Sequence, residues 1–132
     1  SNLAHQTARA PRERRDAFIA WIEHLEYTIY ALPREARVVY LRVPPLQAQA
    51  LIAQKAERAY TTARHDLQEA SIRHLEEAAA VYDHLAQRPG WVRIECLDAA
   101  RGTLRSPQEI ACDVLAAVEP VLGSAPAPAE RG

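Results

Sequence analysis

The chain has 132 residues, 48% of them apolar and 25% charged, and its 16 Lys and Arg nearly balance 17 Asp and Glu, giving a net charge of −1. This length allows one domain with a hydrophobic core. A balanced charge argues against a general nucleic-acid-binding or membrane-surface protein, because both classes carry a basic excess. No apolar run reaches the roughly 20 residues of a membrane span, and no signal peptide opens the chain.

The cysteines and histidines show no spacing typical of a metal site or a disulfide framework. Cys96 and Cys112 lie far apart in the sequence, which favours a reducing cytoplasm, and we predict both to be small core residues. The five histidines lack HExxH and paired Cys/His spacing, so we predict no metal site. We expect His74 and His84 on an exposed helix face. A solvated helix start is expected for Arg9, Arg12, Arg14 and Arg15.

The first quarter of the chain changes from polar to periodic. Residues 1–10 are polar with little periodicity. Over residues 11–32, apolar residues recur at alternating steps of four and three, which predicts one long amphipathic helix stopped by Pro33. Phe18 and Trp21 are interpreted as core or dimer contacts. The predicted apolar stripe consists of Phe18, Ile22, Leu25, Ile29 and Leu32.

Two segments have the character of strands. Residues 37–43 (RVVYLRV) are almost continuously apolar and β-branched, which predicts a strand covered on both faces, as in a parallel sheet. The alternating segment Trp91–Cys96 predicts a second strand. Between them we predict a helix over about residues 46–57 and a mobile polar loop at 58–65.

Two further helices have recognisable starts. Asp66 and Glu69 have the spacing of a capping box, and Ser106, Pro107 and Glu109 mark another start, with an N-cap, a proline at the first position and a capping acid. The first of these helices has a stripe formed by Ile72, Leu75, Ala79, Tyr82 and Leu85. The second is predicted to end near Pro120, and the Ala- and Pro-rich residues 122–132 are predicted to be a disordered tail.

This order of helices and strands predicts an α/β fold with a parallel sheet and right-handed crossovers. Sheets usually have about four to six strands, however, and the sequence supplies two. A strand of the type found at 37–43 needs neighbours on both sides. The sequence therefore predicts an incomplete sheet.

Three successive segments resemble the thymidylate kinase family. Ser1-Asn2-Leu3-Ala4-His5-Gln6 resembles the stretch that follows the family's Asp-Arg motif. The second segment resembles the family's helix and its fourth strand with the VPP ending. It consists of Leu25-Glu26-Tyr27, Leu32-Pro33 and Val39-Tyr40-Leu41-Arg42-Val43-Pro44-Pro45. The third segment resembles the family's lid and the helix behind it. It consists of Arg58-Ala59-Tyr60 and Arg64-His65-Asp66-Leu67-Gln68-Glu69, and it continues to Leu75 and Tyr82. The match extends over residues 1 to about 120.

The resemblance implies a P-loop nucleoside-monophosphate-kinase-like parallel sheet, of which the last two strands and four to five helices are present. Residues 1–121 would be the C-terminal portion of this domain, with a lid at about 57–65. The implied reaction transfers the γ-phosphoryl group of ATP to dTMP, with Mg²⁺, in a cytoplasmic enzyme. We identify no metal ligand in this chain. Family members are usually homodimers, and the predicted helix at 12–32 is a plausible contact.

The resemblance also assigns site residues. Ser1, Asn2 and Gln6 would contact the thymine ring, with His5 lining the same pocket. Arg58 and Arg64 would close over the ATP phosphates as catalytic cations. The adenine would lie near Leu97, Asp98, Ala99 and Ala100, in a loop predicted over Leu97 to Thr103 at the C-terminal end of the second strand. Lys55 is interpreted as a helix-terminal cation, and the Asp66–Glu69 pair as a capping box without a chemical role.

The sequence departs from the family in two respects. Arg42 stands where the family commonly has an acidic residue, and the sequence contains no phosphate-binding loop G-x-x-x-x-G-K-[ST] and no Asp-Arg pair before Ser1. We therefore expect the chain alone to be inactive, with an open, aggregation-prone edge at 37–43. The alternatives are a non-catalytic remnant that acts as a helical interaction module, and a related deoxynucleoside kinase.

Overall fold

The computed structural model describes the backbone of residues 2–56 and 66–123, and the side chains of residues 2–54 and 72–123. The helices are α1 (Asn2–Arg9), α2 (Arg15–Glu23), α3 (Pro45–Ala56), α4 (Asp66–Leu85) and α5 (Pro107–Leu122). The strands are β1 (Val38–Arg42), β2 (Trp91–Glu95), β3 (Leu97–Asp98) and β4 (Thr103–Leu104). None of the helices in the described ranges is long and apolar enough to cross a membrane.

The two predicted strands are confirmed as β1 and β2, which form a parallel pair. Val38 lies opposite Trp91, and the register continues to Arg42 opposite Glu95. The helices α3 and α4 lie between the two strands in sequence and contact each other. This mixture of helices with a small parallel sheet is compatible with the predicted α/β class.

A second, very short sheet occupies the segment predicted to be a loop at 97–103. β3 and β4 pair antiparallel, with Leu97 opposite Leu104. Asp98 closes the connection, because its Oδ1 accepts hydrogen bonds from the backbone N–H groups of Ala100 (2.9 Å) and Arg101 (3.2 Å). Gly102 has a φ of 66°, a conformation that glycine adopts without a steric penalty. The prediction of a simple loop was therefore wrong.

The polar start of the chain, which shows little periodicity in the sequence, is a packed helix. Ala4, Thr7 and Ala8 lie on one face of α1 and are buried. This face packs against α4, whose Ala78, Val81 and Leu85 complete the largest cluster of buried residues together with Ile19. Small side chains allow close approach of the two helices, and they carry little hydrophobic signal in the sequence.

The helix predicted over 11–32 consists of three differently wound segments. A 3₁₀ turn at Arg12–Arg14 leads into α2, and a π-helical segment follows at His24–Ile29. Ala31 then adopts a φ of 50°, a left-handed conformation that ends the helix before the predicted end near Leu32. Within α2 the buried residues are Ile19 and Ile22.

The predicted stripe of this region was therefore only partly right. Ile22 is buried, but Ile29 and Leu32 are 60% and 50% exposed, and Ile19, which was not assigned to the stripe, is 1% exposed. Phe18 stacks on the exposed Trp21, with ring centres 5.7 Å apart. The apolar residues of this region thus lie on two faces, one toward the core and one toward solvent.

β1 is covered less completely than predicted. Tyr40 is buried, but Leu41, whose side chain projects from the opposite face of the strand, is 46% exposed. On β2, Ile94 is buried, on the same face as Leu41. The helix α5 contacts β2, so we attribute the better cover of this strand to α5.

The start of α5 confirms the local prediction. The Ser106 hydroxyl accepts a hydrogen bond from the Glu109 N–H, and the Glu109 carboxylate accepts one from the Ser106 N–H. Pro107 occupies the first turn, and the helix continues to Leu122, two residues past the predicted end near Pro120 and one residue into the predicted tail. The rest of the tail, the lid at 57–65 and the side chains of the Asp66–Glu69 capping box lie outside the described residues.

Candidate functional site

The residues predicted to contact a nucleobase lie on α1. Asn2 and Gln6 are both exposed and are one helical turn apart, so they share one face of the helix. In the described part of the chain, neither side chain has a hydrogen-bond partner, which leaves both amides available to a ligand. Ser1 lies outside the described residues.

His5 lies at the contact between α1 and α4. Its Nδ1 is 3.2 Å from Nε2 of His74, and its ring meets the ring of Tyr82 edge-on, with the ring centres 5.8 Å apart. Burial, followed by the positive charge of His74, lowers the pKa of His5. His74 is half-buried, so the expectation that it lies on an exposed face was wrong, whereas His84 is exposed as expected.

Two tyrosines extend this contact to the sheet. The rings of Tyr40 on β1 and Tyr82 on α4 are stacked, with centres 4.9 Å apart and planes inclined by 16°. Burial, with a smaller contribution from the charge of Asp83, raises the pKa of Tyr40 to about 12. Tyr40 is therefore a neutral phenol near neutral pH, and the aromatic surface runs from β1 across α4 to α1.

A charged network lies beside the aromatic residues, at the C-terminal ends of β1 and β2. Arg42 Nε donates to Asp83 Oδ1 at 3.1 Å, and Arg42 Nη1 lies 3.6 Å from Glu95 Oε2. Arg93 pairs with the same two carboxylates. The hydrogen bond to Asp83 raises the pKa of Arg42. Because ligands of open α/β sheets bind outside the carboxyl ends of the strands, this end is the natural place for a site.

We define the α1–α4–β1 cluster as His5, Tyr40, Arg42, His74, Tyr82 and Asp83. The cluster contains aromatic rings that contact one another and a guanidinium that is paired with carboxylates, and the exposed amides of Asn2 and Gln6 lie on the helix that carries His5. Within residues 2–54 and 72–123, no group of three or more His, Cys, Asp or Glu side chains has the arrangement of a metal site. This set of side chains suits a neutral planar ring better than a metal ion.

The residues predicted to lie near adenine are in the β3–β4 hairpin. Leu97 pairs with Leu104, Ala99 and Ala100 are exposed in the connecting turn, and the Asp98 carboxylate is engaged by the turn itself. Among the described side chains, no hydrogen bond or ion pair joins the hairpin to α1. The predicted base-contacting and adenine-contacting groups are thus on separate elements.

The predicted catalytic residues Arg58 and Arg64 lie outside the described residues, as does the side chain of Lys55. Their roles stay predictions. The cysteines differ from the prediction in one respect: Cys96 is buried, but Cys112 is exposed on α5.

The arginines near the start do more than solvate a helix. Arg12 and Arg15 each donate to the carboxylate of Glu77 on α4 at 2.6 Å. Arg15 also donates to the carbonyl oxygens of Ala8 and Ala10. Sequence reasoning missed this network, and it missed the contacts of His74 and Asp83, because each depends on α1 or β1 packing against α4 rather than on local sequence.

Comparisons of the chain with protein-family models, with curated proteins and with solved structures found no match.

Proposed function

We propose that the chain is the C-terminal portion of a thymidylate-kinase-like domain, which transfers the γ-phosphoryl group of ATP to dTMP. The observation that supports this proposal best is the position of α1 against α4 and, through Tyr82, against Tyr40 of β1. Two of the three segments that carry the resemblance, the opening Ser1–Gln6 and the strand with the VPP ending, thereby contribute to one cluster. Their proximity is what a shared nucleotide site requires.

In this proposal the exposed amides of Asn2 and Gln6 recognise the base. An amide offers both a donor and an acceptor, and thymine presents both on its polar edge. A site that pairs a polar edge rejects ligands lacking it more strongly than an apolar pocket does. His5 would line the same pocket, since its half-buried ring is fixed by His74 and Tyr82.

Phosphoryl transfer needs positive charge around the migrating group. Arg58 and Arg64 would supply it from the lid, with Mg²⁺ and a phosphate-binding loop contributed from outside these 132 residues. The β3–β4 hairpin would lie near the adenine of ATP. A cytoplasmic location is part of the same proposal. A comparison of dTMP with thymidine as substrates distinguishes a thymidylate kinase from a deoxynucleoside kinase.

Binding of dTMP to the purified chain, followed by ¹⁵N–¹H NMR, tests the base-recognition step. We expect dTMP to shift the amide signals of Asn2 and Gln6 and the signals of His5, and dAMP at equal concentration to leave them unchanged. Gln6→Leu should abolish the shifts, whereas Gln87→Leu, a matched change at an exposed glutamine in the turn after α4, should not. Equal responses to both nucleotides, or none to dTMP at millimolar concentration, would contradict the proposal.

A second candidate function is supported by a different surface. Along residues 18–32, the large apolar residues Trp21, Ile29, Tyr30 and Leu32 are each at least half exposed. Apolar patches of this kind are typical of protein–protein contacts. They suit the proposed homodimer, and they equally suit a non-catalytic interaction module. If Trp21→Ser no longer dimerised but still bound dTMP, the result would favour the kinase. If the unmodified chain associated but bound no nucleotide, the result would favour the interaction module.

A further inference from the structure

A direct hydrogen bond joins the side chains of His5 on α1 and His74 on α4. The ring centres are 5.4 Å apart and the two nitrogens 3.2 Å apart. In each ring, a short distance separates the ring centre from the nitrogen. The distance between the ring centres is nearly the sum of these two short distances and the nitrogen–nitrogen distance. The ring centres and the two nitrogens therefore lie close to one straight line.

This alignment distinguishes a hydrogen bond from a metal site. Two histidines that share a metal ion direct their lone pairs to a common point off the line between them, about 2.0–2.1 Å from each nitrogen. Here the lone-pair directions of the two nitrogens point at each other. Such an arrangement holds one proton between the rings, with one nitrogen as donor and the other as acceptor.

We infer that the His5–His74 pair is a proton-controlled latch, which fastens α1 to α4 while at most one extra proton is bound and releases it when both rings are charged. This inference is independent of the proposed kinase activity. The first added proton can bind the outward nitrogen of the donor ring, which leaves the hydrogen bond intact. The second added proton can bind only the nitrogen of the other ring that accepts the hydrogen bond. Two N–H donors on two positively charged rings then face each other, and the hydrogen bond is lost.

The surroundings of the pair oppose the second charge. Tyr82 covers His5 from α4 and itself stacks on Tyr40 of β1, so the ring is partly shielded from water. Arg9 on α1 adds positive charge, in the same direction as burial and His74. On the α2 side, Arg12 and Arg15 are paired with Glu77, so that carboxylate is already engaged.

The direction of the pH effect follows from the lowered pKa of His5. In the unfolded chain the ring takes up a proton at its ordinary value of 6.5, whereas in the folded chain it resists the proton. The unfolded state therefore binds more protons than the folded state below that pH. The contribution of the pair to folding stability is fully present above about pH 6.5 and is lost as the pH decreases. Loosening begins at α1, because the pair lies on its contact with α4.

Urea unfolding followed by the fluorescence of Trp21 and Trp91 tests the latch. His5→Asn places an amide near Nδ1, and His74→Gln places one near Nε2, so the double variant H5N/H74Q keeps a hydrogen bond that does not titrate. Between pH 7.5 and pH 5.0, we expect the folded-to-unfolded ratio of the unmodified chain to fall more than about threefold relative to H5N/H74Q, a difference that urea midpoints resolve.

His84→Gln provides the matched control. His84 lies on the same helix but is exposed, and its ring is 3.3 Å from Asp16 rather than in contact with His5. This variant should therefore keep the acid loss seen in the unmodified chain. Equal pH dependence of the unmodified chain and H5N/H74Q would overturn the inference.

Imidazole NMR titration of the unmodified chain tests the latch without any variant. The signals of His5 and His74 should change in two separated steps. As the second step proceeds, amide exchange in α1 should increase more than in α5. A single step shared by the signals of His5 and His74, without a change in α1, would overturn the inference even if the variants failed to fold.

Discussion

Arg15 Nη2 lies 2.6 Å from Glu77 Oε2, and the same guanidinium donates to the carbonyl oxygens of Ala8 and Ala10 at 3.1 and 3.3 Å. Arg15 begins α2, Ala8 lies in the last turn of α1, Ala10 directly follows that helix, and Glu77 lies on α4. One side chain, 15% exposed, therefore joins three helices. It also satisfies carbonyl groups at the end of α1 that have no partner within that helix.

Arg15→Gln should destabilise the fold by about 1–3 kcal/mol, because it leaves half-buried carbonyl groups without their donor. Urea unfolding at pH 7 measures this change. Arg12→Gln is the matched control: Arg12 binds the same carboxylate, but its side chain is 78% exposed, so its removal should leave the midpoint nearly unchanged. Equal losses in the two variants would show that the carbonyl contacts of Arg15 do not contribute.

Glu77 should make stability depend on pH in strongly acidic solution. Hydrogen bonds from Arg12, and then from Arg15, lower the pKa of Glu77 to about 2 from an ordinary value of 4.5. A lowered carboxyl pKa stabilises the folded state above pH 4.5, and this contribution is lost as the pH falls through about 2. Urea midpoints of the unmodified chain and Glu77→Gln should therefore differ at pH 6 and converge near pH 2. A constant difference over this range would contradict the prediction.

Thr7 is fully buried, and within the described residues its Oγ1 has no hydrogen-bond partner. Burying an unpaired hydroxyl is unfavourable. Thr7→Val replaces the hydroxyl with a methyl group of similar size, so we expect unchanged or higher stability, by up to about 1 kcal/mol. Thr7→Ser keeps the hydroxyl and loses the methyl, and it should destabilise by about 1 kcal/mol. Thermal or urea unfolding measures both, and a destabilised Thr7→Val would indicate a partner for Oγ1.

The elements that sequence reasoning found are those with local signals. The start of α5 follows from Ser106, Pro107 and Glu109, whose side chains and backbone satisfy one another within a single turn. β1 follows from the apolar run Val38–Leu41, whose shortness and β-branched and aromatic content favour a strand over a helix. In both cases the information lies within a few residues, so a sequence pattern is sufficient.

α1 shows why the rest could not be predicted. Its buried face consists of Ala4, Thr7 and Ala8, and periodicity arguments depend on large apolar residues. The helix forms because small side chains allow close packing on α4, which is a tertiary effect. Since α1 was not predicted, the burial of His74 and the pairing of Arg15 with Glu77 could not be predicted either. The base-contacting role of Asn2 and Gln6 came from resemblance, and it stays a prediction.

The chain alone should not convert dTMP and ATP to dTDP. The sequence has no G-x-x-x-x-G-K-[ST] loop, and phosphoryl transfer depends on groups that hold the β- and γ-phosphates and Mg²⁺ in place. A coupled assay of ADP release, with and without dTMP, should give the same background for the unmodified chain and for Arg64→Ala. The prediction would be contradicted if the unmodified chain produced dTDP and the Arg64→Ala variant did not.

The open edge of β1 should drive self-association. Val38 N donates to Gly90 O, and Arg42 O accepts from Cys96 N, so the backbone groups of residues 38, 40 and 42 point toward β2 and those of Val39 and Leu41 point away from it. In the described part of the chain, no strand pairs with that second edge, and an unpaired apolar strand edge is a template for another strand. Leu41→Pro removes an outward N–H without touching the ladder to β2, so sedimentation should show fewer oligomers than for the unmodified chain. Leu41→Thr keeps that N–H while reducing apolar exposure; if it lowered association as much as Leu41→Pro, the exposed side chain rather than the strand edge would be responsible.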